Sequence, residues 1–207
     1  ASAFDKVWHS GLIYKMIKMN IPPELISWVS SFLKERFFSV KIKSYISAKK
    51  PILAGVPQGA VLSPTLFSIF INDIPKAESK NKSNSILFAD DLATFFIDKK
   101  FNARVQKTIH KYLTALEEWL SKWRLMMSPS KCNYIIFQKS HNTAEQTNLN
   151  LNLFKEPIGK SDNVTFLGVR FDPKLTFVNQ IKYLEDSCSK RLNILKILSN
   201  KNWKLKK

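Results

Sequence analysis

Two adjacent carboxylates, Asp90 and Asp91, are the residues of this sequence that most directly suggest chemistry. They interrupt an apolar run at residues 86–97, which is typical of two short strands joined by a tight turn with the acids at its tip. Neighbouring negative charges repel each other and resist desolvation, so a cation is favoured beside them. Mg²⁺ takes carboxylate oxygens and keeps positions for phosphate oxygens, so the pair predicts a divalent-metal site. Taken alone, the pair is more simply explained as a solvated turn.

The second informative stretch is residues 55–64, which contains Pro57, Gln58 and Gly59. Proline keeps the preceding residue extended, and glycine permits close approach of the backbone. We therefore expect Gln58 on an exposed loop just before a helix, where its amide can meet a ligand. An ordinary strand-to-helix connection explains the stretch better if nothing else is considered.

The composition favours a globular protein that binds polyanions. The chain has 207 residues, 44% of them hydrophobic, and 33 Lys and Arg against 16 Asp and Glu, which gives a net charge of +17. Such an excess attracts nucleic acid over long range. No segment is apolar and long enough to predict a membrane span, and the chain opens without a secretory or other targeting signal, so an intracellular protein is predicted. Cys132 and Cys188 have no metal-ligand spacing and are expected to stay reduced.

The hydrophobic periodicity predicts alternating helices and hairpins. Helices are predicted around residues 12–17, 23–33, 64–71, 105–123 and 181–198, with Ser63 as the cap of the third. Strands are predicted at residues 38–42, 45–53, 124–127, 132–137 and 164–171, in addition to the Asp hairpin. Residues 78–85 and 139–150 are expected to form loops. The pattern indicates an α+β fold with helices packed on one face of an antiparallel sheet.

Taken together and in order, these segments resemble the motifs of reverse transcriptases, in the wording of non-LTR (LINE-type, jockey-like) retrotransposons. Residues 3–9 look like the end of motif A, residues 55–64 match motif B, and Phe-Ala-Asp-Asp at residues 88–91 matches the motif C box. Residues 119–137, with Lys131, are similar to motif D, and residues 166–169 are similar to the primer-grip motif. The agreement in order extends from residue 1 to about residue 177.

The resemblance implies a right-hand polymerase palm with the start of a thumb. On this basis residues 1–138 are the palm with part of the fingers, carrying the end of motif A and motifs B, C and D. Residues 139–177 are a loop and the primer-grip hairpin, and residues 178–207 are the basic start of a thumb helix.

The resemblance also implies an RNA-directed DNA polymerase, a nucleotidyltransferase that joins a dNTP to a primer 3′-hydroxyl. The implied cofactors are two Mg²⁺ ions, or Mn²⁺ in their place. The implied partners are an RNA template, a DNA primer and a dNTP, with no membrane; the oligomeric state is left open. A nuclear location follows from the family alone.

The roles of individual residues are carried over from the motifs. Asp90 is the implied primary metal ligand and Asp91 its weaker neighbour. Phe4 is the implied steric gate, because an aromatic ring there occupies the space of a ribose 2′-hydroxyl. Lys131 is an implied proton donor to pyrophosphate, and a turn lysine in water explains it equally well. The remaining implied contacts are backbone amides of Ser2 and Ala3 to the triphosphate, Gln58 and Gly59 to the nucleotide and template, and Phe166, Leu167 and Gly168 to the primer.

One departure from the family pattern affects the expected activity. The essential motif A aspartate would stand upstream of Ala1, so Asp5 is not expected to bind metal and the chain as given is expected to be inactive. The alternative is a non-catalytic nucleic-acid-binding remnant of a mobile element. An RNA-templated RNA polymerase is less favoured because of the Phe-Ala-Asp-Asp box and the aromatic gate.

Overall fold

The structure, a computed structural model, describes residues 3–77, 83–98, 103–137 and 148–199. The chain folds as two compact units. The first unit contains Ala1–Pro129 and Asn152–Glu156, and the second contains Ser130–Leu151 and Pro157–Lys207. These units reflect packing and divide the chain at other positions than the predicted palm, primer-grip and thumb segments, whose functional division stays a prediction.

Four helices build most of the first unit. Asn20 follows the first helix in the left-handed region with φ 54°, and Pro22 comes two residues later. Pro23 opens the second helix, where its missing N–H costs nothing. The helices are α1 (His9–Lys18), α2 (Pro23–Leu33), α3 (Ser63–Ile71) and α4 (Ala103–Lys122), and a short 3-10 turn at Ala3–Lys6 precedes them.

The predicted role of Ser63 as a helix cap is wrong. Leu62 occupies the cap position of α3, and no side chain caps this end. The Ser63 hydroxyl instead donates a hydrogen bond to the Pro57 carbonyl oxygen, and Ser63 is buried. Ser63 is therefore the first residue of α3, and its side chain closes the preceding loop rather than capping the helix.

Two short antiparallel pairs follow α2. β1 (Phe37–Phe38) pairs with β4 (Lys50–Pro51), and β2 (Lys41–Ile42) pairs with β3 (Tyr45–Ile46). The predicted strands at residues 38–42 and 45–53 are therefore each divided into two short pieces.

The Asp hairpin forms as predicted. β5 (Ser83–Phe88) and β6 (Asp91–Phe96) pair antiparallel in a register that sets Phe88 opposite Asp91. The strand begins at Ser83, so the predicted loop at residues 78–85 is wrong for its last three positions, while residues 78–82 lie outside the described part. One face packs on α4, where Tyr112 OH accepts a hydrogen bond from Thr94 Oγ1 at 2.9 Å and the Tyr112 ring meets Phe96 edge-on.

The chain returns to the first unit after residue 151. β8 (Asn152–Leu153) pairs with β9 (Glu156–Pro157) and lies against α4. The Phe154 N–H donates to the Glu117 carboxylate at 2.6 Å, and Leu153 is fully buried.

The second unit consists of short strands and one long helix. β7 (Asn133–Tyr134) pairs with β10 (Gly159–Lys160) in parallel, and β11 (Val164–Phe166) pairs with β12 (Val169–Phe171). α5 (Val178–Leu198) follows and has no buried residue among those described. Residues 164–171, predicted as one strand, are a hairpin, because Leu167 and Gly168 both take positive φ and form its two-residue turn.

Asp172 organises the connection between β12 and α5. Its carboxylate accepts hydrogen bonds from the backbone N–H groups of Lys174, Thr176 and Phe177. These bonds, led by that of Thr176, lower the pKa of Asp172 because they stabilise the charged form.

The predicted strand at residues 124–127 is wrong, because the end of α4 uses these residues. Arg124 takes φ 57°, and the Leu125 N–H donates to the Leu120 carbonyl oxygen at 2.9 Å. This arrangement is a helix C-cap with a buried apolar residue just beyond it. The predicted strand at residues 132–137 is reduced to β7, after a 3-10 turn at Pro129–Lys131.

The α+β class is confirmed. Every sheet formed by the described residues has two strands. α4 packs against two of these pairs, β5–β6 and β8–β9, whereas α1 packs against α2 and α3. No helix in the described ranges has the length and apolarity of a membrane span. Cys132 and Cys188 carry thiols rather than a disulfide.

A buried lysine joins three helices of the first unit. Lys15 of α1 is 5% exposed, and its Nζ lies 3.7 Å from the ring centre of Trp123, 4.6 Å from that of Trp119 and 5.0 Å from that of Phe70. Nζ donates to the Phe70 carbonyl oxygen and to the carboxylate of Asp73, which also accepts the Trp119 indole N–H at 3.1 Å. Burial lowers the pKa of Lys15, although the Asp73 carboxylate opposes this effect.

We expect Lys15→Ala to lower the free energy of unfolding by about 2–4 kcal/mol, because it removes a buried stem and a cation held by three rings. Lys18→Ala is the matched control on the same helix, since Lys18 is exposed and its removal should cost no more than about 0.5 kcal/mol. Chemical denaturation of the two variants measures both values. Equal losses would contradict the role assigned to Lys15.

Candidate active site

A short ladder joins the start of the chain to the loop that precedes α3. The Gly55 N–H donates to the Val7 carbonyl oxygen at 2.8 Å, and the Val56 N–H donates to that of Phe4 at 2.9 Å. Trp8 and Ala54 form an antiparallel bridge beyond them. The ladder therefore brings Phe4 beside the loop that carries Gln58.

Gly55 is the point of closest approach in this ladder. A Cβ on Gly55 would lie 2.8 Å from the Asp5 Cα and 2.9 Å from the Asp5 carbonyl oxygen, and the residue takes φ +89°. Its carbonyl oxygen accepts hydrogen bonds from His9 Nε2 at 2.8 Å and from an Arg36 guanidinium nitrogen at 3.1 Å. Since a carbonyl only accepts, His9 carries its hydrogen on Nε2. The position excludes every residue with a side chain.

The Phe4 ring is held by a second aromatic ring. It stacks on Phe67 of α3 with the ring centres 4.3 Å apart and the planes 15° apart. Phe67 is buried, whereas Phe4 is half-buried and keeps part of its surface accessible. The stacking fixes the orientation of an accessible aromatic ring near the start of α3.

The loop after Val56 presents Gln58 and Gly59 to solvent, just before α3, as the sequence predicts. Two hydrogen bonds to the Pro57 carbonyl oxygen close the loop. One comes from the Ala60 N–H at 3.2 Å, and the other comes from the Ser63 hydroxyl. Gln58 Nε2 donates to Asp5 Oδ1 at 2.9 Å. Among the described residues, and apart from the two chain neighbours, no heavy atom lies within 4 Å of a Cβ built on Gly59, so the space above this residue is open.

Asp90 and Asp91 lie at the tip of the β5–β6 hairpin, and both are exposed. Ala89 turns the chain with φ 50°, a region that alanine rarely adopts, so the loop stores strain. Neither carboxylate makes a hydrogen bond or ion pair with the residues that the structure describes. Two unneutralised, adjacent carboxylates suit Mg²⁺, which is commonly bound by one or two carboxylates together with phosphate oxygens and water.

The donor set at this tip stops at two side chains. Within the described ranges, no group of three or more His, Cys, Asp and Glu residues is placed to hold a metal ion.

The predicted site residues fall into three sets. Phe4, Gln58 and Gly59 come together in the first unit, with Ala3 in the adjoining 3-10 turn. Asp90 and Asp91 are in the same unit, and their position beside that set stays a prediction. Lys131, exposed in a 3-10 turn, and the hairpin of Phe166, Leu167 and Gly168 belong to the second unit, while Ser2 lies outside the described residues.

The sequence analysis missed three residues that shape the site. Asp5 holds Gln58, and His9 and Arg36 hold the Gly55 carbonyl group. Each bond joins positions 19 to 53 residues apart, so no local pattern announces it.

Known proteins similar to this chain share one description. Residues 1–171 match the family described as reverse transcriptase (RNA-dependent DNA polymerase). The chain is 35% identical to the RNA-directed DNA polymerase from mobile element jockey of Drosophila melanogaster. The aligned 190 residues are 89% of this chain and 20% of that protein. The jockey protein of Drosophila funebris is 35% identical over 197 residues, covering 92% of this chain and 21% of that protein.

A third relative belongs to a different element. The probable RNA-directed DNA polymerase from transposon BS of Drosophila melanogaster is 30% identical over 204 residues, which is 96% of this chain and 22% of that protein. The chain therefore spans about a fifth of the length of these relatives. The resemblance drawn from the motifs is confirmed.

We expect Gly55→Ala to destabilise the protein by about 2–5 kcal/mol. The new Cβ would overlap the Asp5 backbone, and an alanine at this position would have to adopt an unfavourable positive φ. Gly59→Ala is the matched control, since it has a similar φ of +88° but open space around its Cβ. Its cost should be only about 1–2 kcal/mol. Thermal and chemical denaturation distinguish the two, and equal costs would contradict the close packing of Gly55 on Asp5.

Proposed function

Because this chain belongs to the reverse transcriptase family, we propose that it forms the nucleotide-addition region of an RNA-directed DNA polymerase from a jockey-like mobile element. In this proposal a primer 3′-hydroxyl attacks the α-phosphate of a dNTP, and an RNA template selects the dNTP. The observation that carries the proposal is that Phe4 and the Gln58–Gly59 loop lie together, in the unit that also bears the unneutralised Asp90 and Asp91.

Asp90 and Asp91 supply the negative charge that draws divalent cations to the site. When bound there, Mg²⁺ or Mn²⁺ lowers the pKa of the attacking hydroxyl and neutralises charge on the leaving pyrophosphate. Asp90 sits in the strained two-residue turn and Asp91 begins β6, so their backbones are fixed by the hairpin register. A fixed backbone reduces the conformational entropy that is lost when a cation binds.

Phe4 selects the sugar in this proposal. Its ring cannot swing away from the nucleotide without losing the stack on Phe67, which is itself buried in α3. The 2′-hydroxyl of an rNTP would therefore clash with a ring that the stack on Phe67 holds in place. The backbone amides of Ser2 and Ala3 would face the triphosphate, and Gln58 and Gly59 would line the nucleotide and template.

The second unit contributes roles that rest on the motif resemblance. Lys131, at the end of its 3-10 turn, would donate a proton to the departing pyrophosphate. The tight turn at Leu167 and Gly168, with Phe166 before it, would contact the primer end. The net charge of +17 favours binding of both nucleic acid strands. A nuclear location belongs to the proposal through the family only.

Asp90→Asn is expected to weaken Mn²⁺ binding by about tenfold or more, because it removes one anionic ligand from a two-carboxylate site. Calorimetric titration of the chain with Mn²⁺ measures the loss. Asp162→Asn makes the same charge change at an exposed position of the second unit and should leave the binding unchanged.

A second test of Asp90 measures catalysis instead of metal binding. It uses a polypeptide extended upstream of Ala1 to include the motif A aspartate that the resemblance places there. Primer extension on an RNA template should require Mg²⁺ and should be lost in Asp90→Asn, with folding intact. Extension that survives Asp90→Asn would refute the metal assignment. Binding of nucleic acid that weakens with salt but never leads to extension would favour the non-catalytic remnant instead.

Phe4→Ala is expected to admit rNTP, because it removes the ring beneath the sugar. In the same extended polypeptide, the preference for dNTP over rNTP should fall by at least about tenfold, as steric gates of this kind discriminate by a few kcal/mol. Phe32→Ala, which removes a ring stacked on Trp28 in α2, is the control for aromatic loss elsewhere. Unchanged sugar discrimination in Phe4→Ala would contradict the gate.

A further inference from the structure

None of the residue roles described above explains the hydrogen bond between Asp5 and Gln58. Gln58 Nε2 donates to Asp5 Oδ1 at 2.9 Å across 53 residues of sequence, and both side chains are exposed. An exposed hydrogen bond adds little to stability, because water can replace either partner. Its effect is therefore better sought in the geometry of Gln58 than in the stability of the fold.

The chemistry of the pair fixes which end of the amide faces Asp5. An ionised carboxylate only accepts hydrogen bonds, whereas a glutamine amide has a donating NH₂ end and an accepting carbonyl end. The NH₂ end must therefore face Asp5, and the carbonyl oxygen points to the other side. A neutral partner with both a donor and an acceptor would impose no such orientation.

The backbone that carries the Asp5 side chain is held in place by neighbouring residues. The Gly55 backbone packs directly against the Asp5 Cα and carbonyl oxygen, with no room for a Cβ between them. The ladder bonds at Phe4 and Val7 hold the chain on both sides of Asp5. Asp5 therefore sits in a rigid frame, and that frame also carries the Phe4 ring.

We infer that Asp5 is a positioning residue that fixes the orientation of the Gln58 amide in the nucleotide site. The inference rests on the proposed function, in which Gln58 lines the incoming nucleotide. By fixing the amide before the nucleotide arrives, Asp5 reduces the entropy lost on binding. It also couples the amide to Phe4, because consecutive residues of one rigid segment hold both groups.

The first test is spectroscopic and needs no catalysis. In the ¹⁵N-labelled chain, Asp5→Asn should shift the two Gln58 side-chain NH₂ resonances and speed the solvent exchange of the bonded hydrogen, which loses its protection. Asp5→Glu, which keeps a carboxylate on a longer arm, should restore part of that protection. Asp162→Asn is the control and should leave these resonances in place. Gln58 resonances that are identical in the wild type and Asp5→Asn would overturn the inference.

The second test is a double-mutant cycle on dNTP affinity in the presence of Mg²⁺, in the polypeptide extended upstream of Ala1. Asp5→Asn should weaken dNTP binding about 3- to 10-fold, the value of a lost hydrogen bond of ordinary strength. In a Gln58→Ala background the same change should have no further effect. A full additional loss in that background would overturn the inference, because Asp5 would then act independently of Gln58.

The two tests separate the inference from the proposed function. If the extended polypeptide without further substitution binds no dNTP, the proposed function is contradicted, while the Gln58 resonances of the chain still decide whether Asp5 orients the amide. If that polypeptide binds dNTP and Asp5→Asn leaves its affinity unchanged, the inference alone is contradicted.

Discussion

The close packing of Gly55 on the backbone of Asp5 is the constraint on which the candidate site depends. Because no side chain intervenes, the segment before α1 and the loop before α3 can pair through the Phe4 and Val7 carbonyl groups. This pairing places the Phe4 ring on Phe67 and brings the Gln58 amide to the Asp5 carboxylate. His9 and Arg36 then hold the Gly55 carbonyl oxygen, so the contact is braced from α1 and from the chain after α2.

A second set of contacts holds the helices behind this site. Lys15 draws α1 to α3 and to the end of α4, since its ammonium group meets the rings of Phe70 and Trp123 and the carboxylate of Asp73. Tyr112 of α4 in turn anchors the β5–β6 hairpin through Thr94 and Phe96. The acidic tip and the Phe4 ring are thus attached to the same set of packed helices. Buried charge and aromatic packing stabilise these helices, and the two acids of the tip stay exposed.

Much of this arrangement could be predicted from short-range sequence patterns. Apolar spacing and proline positions predict α1, α2 and α4, and the acid pair within an apolar run predicts the β5–β6 hairpin. The patterns fail where a residue has a distant partner or a cap takes over a strand-like run. Ser63 bonds to Pro57 instead of capping α3, and Arg124 and Leu125 complete the end of α4. The Asp5–Gln58 bond follows only from the folded chain, because nothing in either segment specifies the other.

Asp90 and Asp91 must share one pocket with Phe4 and Gln58 if this region is to add nucleotides. Paramagnetic broadening by Mn²⁺ measures this directly, since a bound Mn²⁺ ion broadens the NMR signals of nuclei near it. With Mn²⁺ added at low stoichiometry, the signals of the Phe4 ring and the Gln58 amide should broaden together with those of Asp90 and Asp91. Broadening confined to the hairpin tip, with the Phe4 and Gln58 signals unaffected, would contradict a shared pocket and with it the polymerase site.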